Sequence, residues 1–467
     1  MTDPVPATNP FRLLPSVDQL VAAADGLGLA RPLATLLAKR ALESLRARIA
    51  AGEWDAAGFA AFVERGGVLR EIEDAAAKER RAGIARVVNA TGVVLNTGLG
   101  RAPVHPEAAE RMAEVARSYC VLEVDRDTNQ RNQRDDRISE LTTRLVGGEA
   151  AICVNNCAAA VLLALQTFAG GKECVVSRGE LVEIGGSFRM PAVMERAGVK
   201  LVEVGTTNRT RAADFEGAIR VRTGLLLKVH TSNYRVVGFT EECEIDELAR
   251  IGASHRVPVV FDLGSGLIDP DGATPLDFLD EHWTVTRAIA SGCDAVTFSG
   301  DKLFGGPQAG FVVGKRDAIR AMRKNPLYRA LRLDKSAIAG LERTLELMLE
   351  GRGDELPARR MLVAKADELR PLAERLAAEI GAVPGFAAEV VAERSQPGSG
   401  SAPHVFLDTF CVAVSRGDLS TERLARTLRE GEPPVFARIN GDRLLLDVRT
   451  LLPGDDAALA AAFRNLP

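Results

Sequence analysis

The sequence predicts an α/β protein: a mostly parallel, seven-stranded sheet covered by helices, with a small helical domain before it and a small α+β domain after it. Three observations predict this. Seven short apolar runs recur between residues 150 and 313. They are apolar on both faces, as strands covered by helices on both sides should be. Most are separated by long segments of helical character, which suits crossover connections and parallel strands.

The first domain, residues 1–84, reads as helical. In "ARPLATLLAKRALESLRARIAAGEW", Leu42, Leu45 and Ile49 recur at helical spacing, and Pro32 suits a first turn. Lys39 and Arg46 share another face. Five basic residues and one acid, Glu43, fall between Arg31 and Arg48. Such a helix is either an ordinary solvated face or a surface for RNA phosphates.

The second domain, residues 85–345, holds the runs "AAICV" (150–154), "ECVVS" (173–177), "VKLVEV" (199–204), "GLLLKV" (224–229), "VPVVFD" (257–262), "DAVTFS" (294–299) and "AGFVV" (309–313). A short glycine-rich turn joins the last two, which predicts an antiparallel strand at the sheet edge. The third domain, residues 346–467, opens on "DELPARRMLVAKADELRPLAERLAAEIGAV", read as one long helix. Strands "HVFLDTFCVAV" and "DRLLLDVR" follow, then a helix from about Asp455. "SQPGSGSAP" (395–403) reads as a flexible loop.

Composition excludes several classes. Of 467 residues, 46% are hydrophobic and 26% charged, with a formal net charge of -4, so charge alone suggests neither nucleic acid nor an anionic membrane as partner. No apolar stretch reaches the roughly 20 residues of a membrane span. The start, "MTDPVPATNPFRLLP", lacks the charged region and apolar core of a secretory signal, so a cytoplasmic protein is expected. The seven cysteines form no Cys-x-x-Cys pair, so reduced thiols are expected and no metal site.

The chemistry centres on "SGDKLFGG" (299–306). Lys302 stands at the end of a buried strand, beside Asp301 and glycines that let backbone come close. A Schiff-base lysine for pyridoxal phosphate needs such a setting. It also needs a carboxylate for the ring nitrogen, and "VVFDLGSG" ends a strand with Asp262. The phosphate needs a helix start, and "CVNNCAAAVLLAL" supplies Asn155, Asn156 and Cys157 ahead of a helix. "KVHTSNY" (228–234) offers His230, Ser232 and Asn233 for the ring or its hydroxyl, and Ser299 lies next to the lysine turn. Strand-end aspartates and asparagine turns are common; their order on consecutive strands carries the argument.

Beyond these residues, "VVNATGVVLNTGLGRA" (87–102), "VVSRGELVEIGGSFRMP" (175–191), "VGTTNRT" (204–210), "KVHTSNYRVVGFT" (228–240), "FDLGSG" (261–266), "SGDKLFGGPQAGFVVGK" (299–315) and "YRALRLDK" (328–335) resemble the bacterial selenocysteine synthases, the L-seryl-tRNA(Sec) selenium transferases. The resemblance implies a cytoplasmic fold-type-I pyridoxal 5'-phosphate enzyme, built as dimers assembled into a homodecamer. It implies an N-terminal domain that grips tRNA(Sec). It implies conversion of seryl-tRNA(Sec) to selenocysteinyl-tRNA(Sec) by β-replacement through an aminoacrylyl intermediate, with selenophosphate as donor. Lys302 matches the Schiff-base lysine and Asp262 the partner of the ring nitrogen. Arg101, Arg329 and Arg332 match arginines of the substrate pocket, and Arg329 and Arg332 would share one helix face. Asp301 matches an acid of the chemistry; Asp301 and His230 both remain candidates to protonate the leaving hydroxyl. Two departures stand out. Cys157 replaces a third asparagine, and "NQRNQRDDR" (129–137) replaces a glycine-rich arginine motif, although Arg131 and Arg134 persist. The alternative reading is a related pyridoxal phosphate lyase acting on a small amino acid.

Overall fold

The computed structural model describes residues 9–185, 188–269, 284–398, 400–402 and 404–466. The chain divides into two compact units, Met1–Arg86 and Val87–Pro467.

The first unit is helical. Its helices span Val17–Ala23, Arg31–Ala50, Ala56–Glu64 and Gly67–Arg81. Ser16 and Gln19 cap the first by exchanging backbone hydrogen bonds. Leu42, Leu45 and Ile49 bury their shared face against Phe59 and Ile72, worth about 1.5–3 kcal/mol for each fully buried side chain. Lys39 and Arg46 stay exposed on a neighbouring face.

The second unit is built on the seven-stranded sheet. Its strands are β1 (Ala150–Val154), β2 (Glu173–Ser177), β3 (Lys200–Val204), β4 (Thr223–Val229), β5 (Val259–Gly264), β6 (Ala295–Ser299) and β7 (Gly310–Gly314). Their order across the sheet is β1-β7-β6-β5-β4-β2-β3. Alternate residues feed two separate cores: Val175 and Phe261 one, Val176 and Val260 the other. This is the mostly parallel, helix-covered sheet that the apolar runs predict.

One detail differs. The antiparallel strand, β7, is not at the edge; it lies between β1 and β6 and is antiparallel to both. Glycines at its ends allow this. A Cβ at Gly310 would stand 2.0 Å from the Asn156 carbonyl oxygen, and one at Gly314 would stand 2.1 Å from that of Asp294. Glycine is required where backbone presses in so closely.

A five-stranded sheet packs in the order Val88–Ala90, Val435–Asn440, Arg443–Asp447, Leu407–Arg416, Phe386–Ser395. Its first strand comes from the start of the unit and runs parallel to Val435–Asn440. Leu376, Ile380, Leu424 and Phe463 cover it. The long helix expected across 354–383 is two helices, Pro357–Val363 and Ala366–Gly381. Ala364 between them is extended, with ψ 129°. The buried Arg449 guanidinium donates to the carbonyls of Met361 and Ala364, both at 2.7 Å, and holds the break open.

Candidate active site

Lys302 sits in the turn after β6, and the turn is built for it. Gly300 donates to Ala309 O at 2.8 Å and Gly306 to Gly300 O at 2.8 Å. A Cβ at Gly300 would lie 2.6 Å from Pro307 O, so only glycine lets the chain fold back this tightly. Gly305, at φ 78°, takes the left-handed conformation the turn requires. The next two side chains, Leu303 and Phe304, are buried, and Phe304 packs edge-on against Phe311 of β7 at 5.3 Å. The lysine is thus anchored on both sides and only 8% exposed. Its Nζ donates to Gly400 O at 3.4 Å.

Asp262 lies near the end of the neighbouring strand β5, in register with Thr297 of β6. The Thr297 hydroxyl donates to its Oδ1 at 2.8 Å, and the Cys157 thiol approaches the same oxygen at 3.6 Å. Burial pushes the Asp262 carboxyl above its ordinary range, against the opposing pull of the Thr297 hydroxyl and Lys302. Burial and the Asp262 charge push the Cys157 thiol well up, so it stays a neutral donor. Cys157, where the sequence left a ring or phosphate contact open, therefore serves Asp262.

Cys157 opens the helix Cys157–Ala169, capped by the Asn156 side chain, which accepts from Ala159 N at 2.9 Å. A cavity of about 290 Å³ is lined by Asn156, Cys157, Asp262, Ser299, Lys302 and Arg101, with Ile184 and Phe188 on its far wall. That wall is a short hairpin, Glu183–Ile184 with Phe188–Arg189. It follows Glu180, which is buried in an ion pair with Lys228 Nζ at 3.0 Å and accepts from Val229 N at 2.9 Å. The "GELVE" stretch thereby ties the wall to β4.

Arg101 reaches Lys302's neighbour. Its Nη1 lies 2.8 Å from Asp301 Oδ2, and the Ser299 hydroxyl lies 3.2 Å from Asp301 Oδ1. Arg101 itself has φ 64°, a conformation that costs a non-glycine residue about 1–3 kcal/mol and gathers at functional sites. A second cavity, of about 370 Å³, shares Lys302, Arg101, Ile184 and Gly185 with the first and adds Thr97, Asn233, Gly400 and Ser401. Lys302 stands between the two.

Not every expected residue joins these cavities. Asn155 is exposed and gives its N–H to Leu331 O at 2.9 Å. Ser232 is buried behind Gly264, 3.6 Å from where that residue's Cβ would be. His230 donates its N–H to Asp262 O at 2.9 Å and lines neither cavity. Arg329 and Arg332 line neither as well. They do not share a helix face, because the helix Pro326–Leu331 ends before Arg332, which is extended and bridges Val154. Arg332 lies 3.6 Å from Glu123, which Arg131 also meets at 3.3 Å. Arg134 completes this group: it pairs with Glu123 and donates to Leu333 O at 2.9 Å. The altered 129–137 loop is therefore pinned beneath the "YRALRLDK" stretch, with buried Asp135 holding the Tyr328 hydroxyl at 2.6 Å.

Thr297, Thr97, Gly400 and Ser401 are site residues that the sequence reading passed over. Thr297 left a signal: it alternates with Ser299 along an otherwise apolar strand, so both face the same side. Of the 395–403 loop, residues 399 and 403 lie outside the described residues.

The chain resembles known proteins over most of its length. Residues 87–452 match the family model of L-seryl-tRNA selenium transferase. An L-seryl-tRNA(Sec) selenium transferase of Nitratidesulfovibrio vulgaris is 44% identical over 471 residues, covering 97% of this chain and 98% of that one. The enzyme of the same name from Aquifex aeolicus is 43% identical over 400 residues, covering 86% and 88%. Among solved structures, D-glucosaminate-6-phosphate ammonia-lyase shares the fold, with a TM-score of 0.57 at 24% identity, covering 82% of this chain and 96% of that one. The chain belongs to the L-seryl-tRNA(Sec) selenium transferase family.

Proposed function

We propose that this protein converts L-seryl-tRNA(Sec) to L-selenocysteinyl-tRNA(Sec) by β-replacement, with pyridoxal 5'-phosphate as cofactor and selenophosphate as donor. The observation that supports this most is the meeting of Lys302, Asp262 and Arg101 on one cavity, in a chain of this family. The domains follow the sequence reading: residues 1–84 for tRNA, 85–345 for the cofactor, and 346–467 as a C-terminal domain. The protein acts in the cytoplasm as dimers assembled into a decamer.

The residues present fit the cofactor. A buried strand-end carboxylate suits a protonated ring nitrogen, and the start of Cys157–Ala169 suits a phosphate. Asp262, Asn156, Cys157, Ser299 and Lys302 would hold the group. When bound, it supplies an electron sink for the charge left at Cα of serine. Lys302 Nζ takes the Cα proton. Its ammonium form then supplies the proton that the departing hydroxyl needs. Arg101, oriented by Asp301, binds the anionic selenium donor through its planar fork. Incubation with seryl-tRNA(Sec) and selenophosphate tests the reading by mass spectrometry of the aminoacyl group. Unchanged serine would overturn it.

Two expected results belong here. Arg101→Ala should lose about 10–100-fold in kcat/KM for selenophosphate, as for a hydrogen bond to a charged group. Arg101→Lys should recover part of it, because charge remains and the fork is lost. An unchanged dependence of rate on selenophosphate would remove Arg101 from the donor site.

Asp262→Asn should have opposite effects on stability and activity. A carboxyl whose affinity for its proton rises on folding lowers stability as pH rises through its ionisation. Without cofactor, Asp262→Asn should therefore melt above wild type at pH 7. The gap should close as pH falls to where Asp262 is protonated in both states. The loaded variant should lose about 10–100-fold in kcat. A melting temperature below wild type at pH 7 would refute the burial argument.

A further inference from the structure

Two side chains decide which oxygen Asp262 offers to the cofactor cavity. The Thr297 hydroxyl donates to Oδ1 at 2.8 Å, and the Cys157 thiol reaches the same oxygen at 3.6 Å. Oδ2 accepts from no side chain among the described residues. Asp262 nonetheless lines the cavity beside Lys302 and keeps 6% exposure.

Each donor is itself fixed. Thr297 is fully buried and stands in register with Asp262 across β6 and β5, and its branched side chain is stiff. Cys157 opens the helix Cys157–Ala169. That helix start is pressed so closely on β7 that a Cβ at Gly310 would lie 2.8 Å from the Cys157 nitrogen. Between Asp262 and Gly264 the pairing of β5 with β6 slips, and Gly264 takes φ 71°. Such bulges re-aim side chains beside a site.

The carboxyl and the cofactor's ring nitrogen compete for one proton. Burial alone favours the neutral carboxylic acid. An acid in that form would take the proton from the ring and weaken the electron sink. Hydrogen bonds donated to the carboxylate oppose this, and Lys302 adds its attraction. A hydroxyl is a good donor and a thiol a weak one, so Thr297 carries the larger share. The Cys157 thiol stays neutral, so it donates without placing a second negative charge beside Asp262.

We propose that Thr297 and Cys157 are positioning residues: they clamp Oδ1 of Asp262, keep the group a carboxylate, and leave Oδ2 to hold the proton on the ring nitrogen. The assignment rests on pyridoxal 5'-phosphate as the cofactor and adds the residues that set its ring's protonation.

Titration with pyridoxal 5'-phosphate, isotopically labelled at the ring nitrogen, tests it. Absorbance gives the affinity and solid-state nitrogen NMR gives the position of the proton. In wild type the ring nitrogen should resonate as a protonated pyridinium. Thr297→Val keeps the shape and removes the hydroxyl. It should weaken cofactor binding about tenfold, the difference between a hydrogen bond to a charged and to a neutral group, and move the resonance toward unprotonated pyridine. Thr297→Ser should restore both. Cys157→Ala should move the resonance the same way by less and weaken binding about 2–3-fold, as for a weak neutral hydrogen bond. Cys157→Ser, a better donor, should match or exceed wild type. The Cys157 pair decides the matter should Thr297→Val fold poorly. If Thr297 only packs, Thr297→Val lowers the melting temperature and leaves the resonance where it was. That result, or Thr297→Ser behaving like Thr297→Val, would overturn the proposal. Wild type that takes up no pyridoxal phosphate would overturn the cofactor reading and this assignment together. Wild type that shows the clamp yet leaves seryl-tRNA(Sec) unconverted would overturn the reaction and keep the clamp.

Discussion

Lys302→Ala is expected to leave a folded protein that turns over no seryl-tRNA. The folding half follows from the contacts. The Lys302 amine makes one hydrogen bond, to Gly400 O at 3.4 Å, while the turn is held by Gly300, Gly306, Leu303 and Phe304. Losing a buried amine there removes little that stabilises the turn. The catalytic half follows from position. Proton transfer by a placed side chain contributes typically 10²–10⁴-fold, and no other lysine lines either cavity. The other buried lysine, Lys228, is committed to Glu180 at 3.0 Å and Glu242 at 3.2 Å. Borohydride reduction of the loaded wild type should fix the cofactor on Lys302, found by peptide mass spectrometry. An exogenous small amine should restore part of the lost rate to Lys302→Ala. Fixation on any other lysine would show the assignment to be wrong.

Lys302 and Asp262 were legible in the sequence because the first follows a buried strand and the second lies near the end of one. An apolar run announces its own end, and a charge placed there must face the mouth of the sheet. The same logic located all seven strands to within two residues, as with 257–262 against Val259–Gly264. It did not give their order. β1 is as apolar as the interior strands, so nothing in its composition marks it as the edge beyond β7. The signal lay in Gly310 and Gly314, whose crowding on both sides only the fold makes visible.

Long-range contacts account for the other misses. The helix break at Ala364 depends on Arg449, far along the chain. Gly400 reaches Lys302 because 395–398 pairs with the segment from Gly92. No local pattern encodes either pairing. Arg332 failed for a local reason of its own: i, i+3 spacing implies a shared face only while the helix lasts, and it ends at Leu331.

Removing Met1–Arg86 is expected to leave cofactor binding intact and to cut affinity for tRNA(Sec) about 100-fold at low salt. The second unit carries its own cores and the whole cofactor cavity, so its site does not need the first. The basic helix Arg31–Ala50 divides into two kinds of residue. Arg48 pairs with Glu53 at 2.6 Å and stacks over Trp54 at 4.4 Å, and Arg40 meets Glu79 at 3.4 Å. These two already have acidic partners within the unit. Arg31, Lys39 and Arg46 are exposed and make no ion pair among the described residues. Lys39 and Arg46 lie two turns apart, about 10 Å along the helix, on an exposed face beside that of Leu42, Leu45 and Ile49. Cations held this way can meet phosphates at no cost to the fold. Each phosphate they neutralise releases counterions, which adds roughly 0.7–0.9 to the slope of log affinity against log salt. Replacing Arg31, Lys39 and Arg46 together by alanine in the intact chain should therefore flatten that slope by about 2–3, with helix content and cofactor absorption unchanged. Filter binding across a salt series measures it. A slope that stays the same in both the truncation and the triple variant would place the tRNA on another surface.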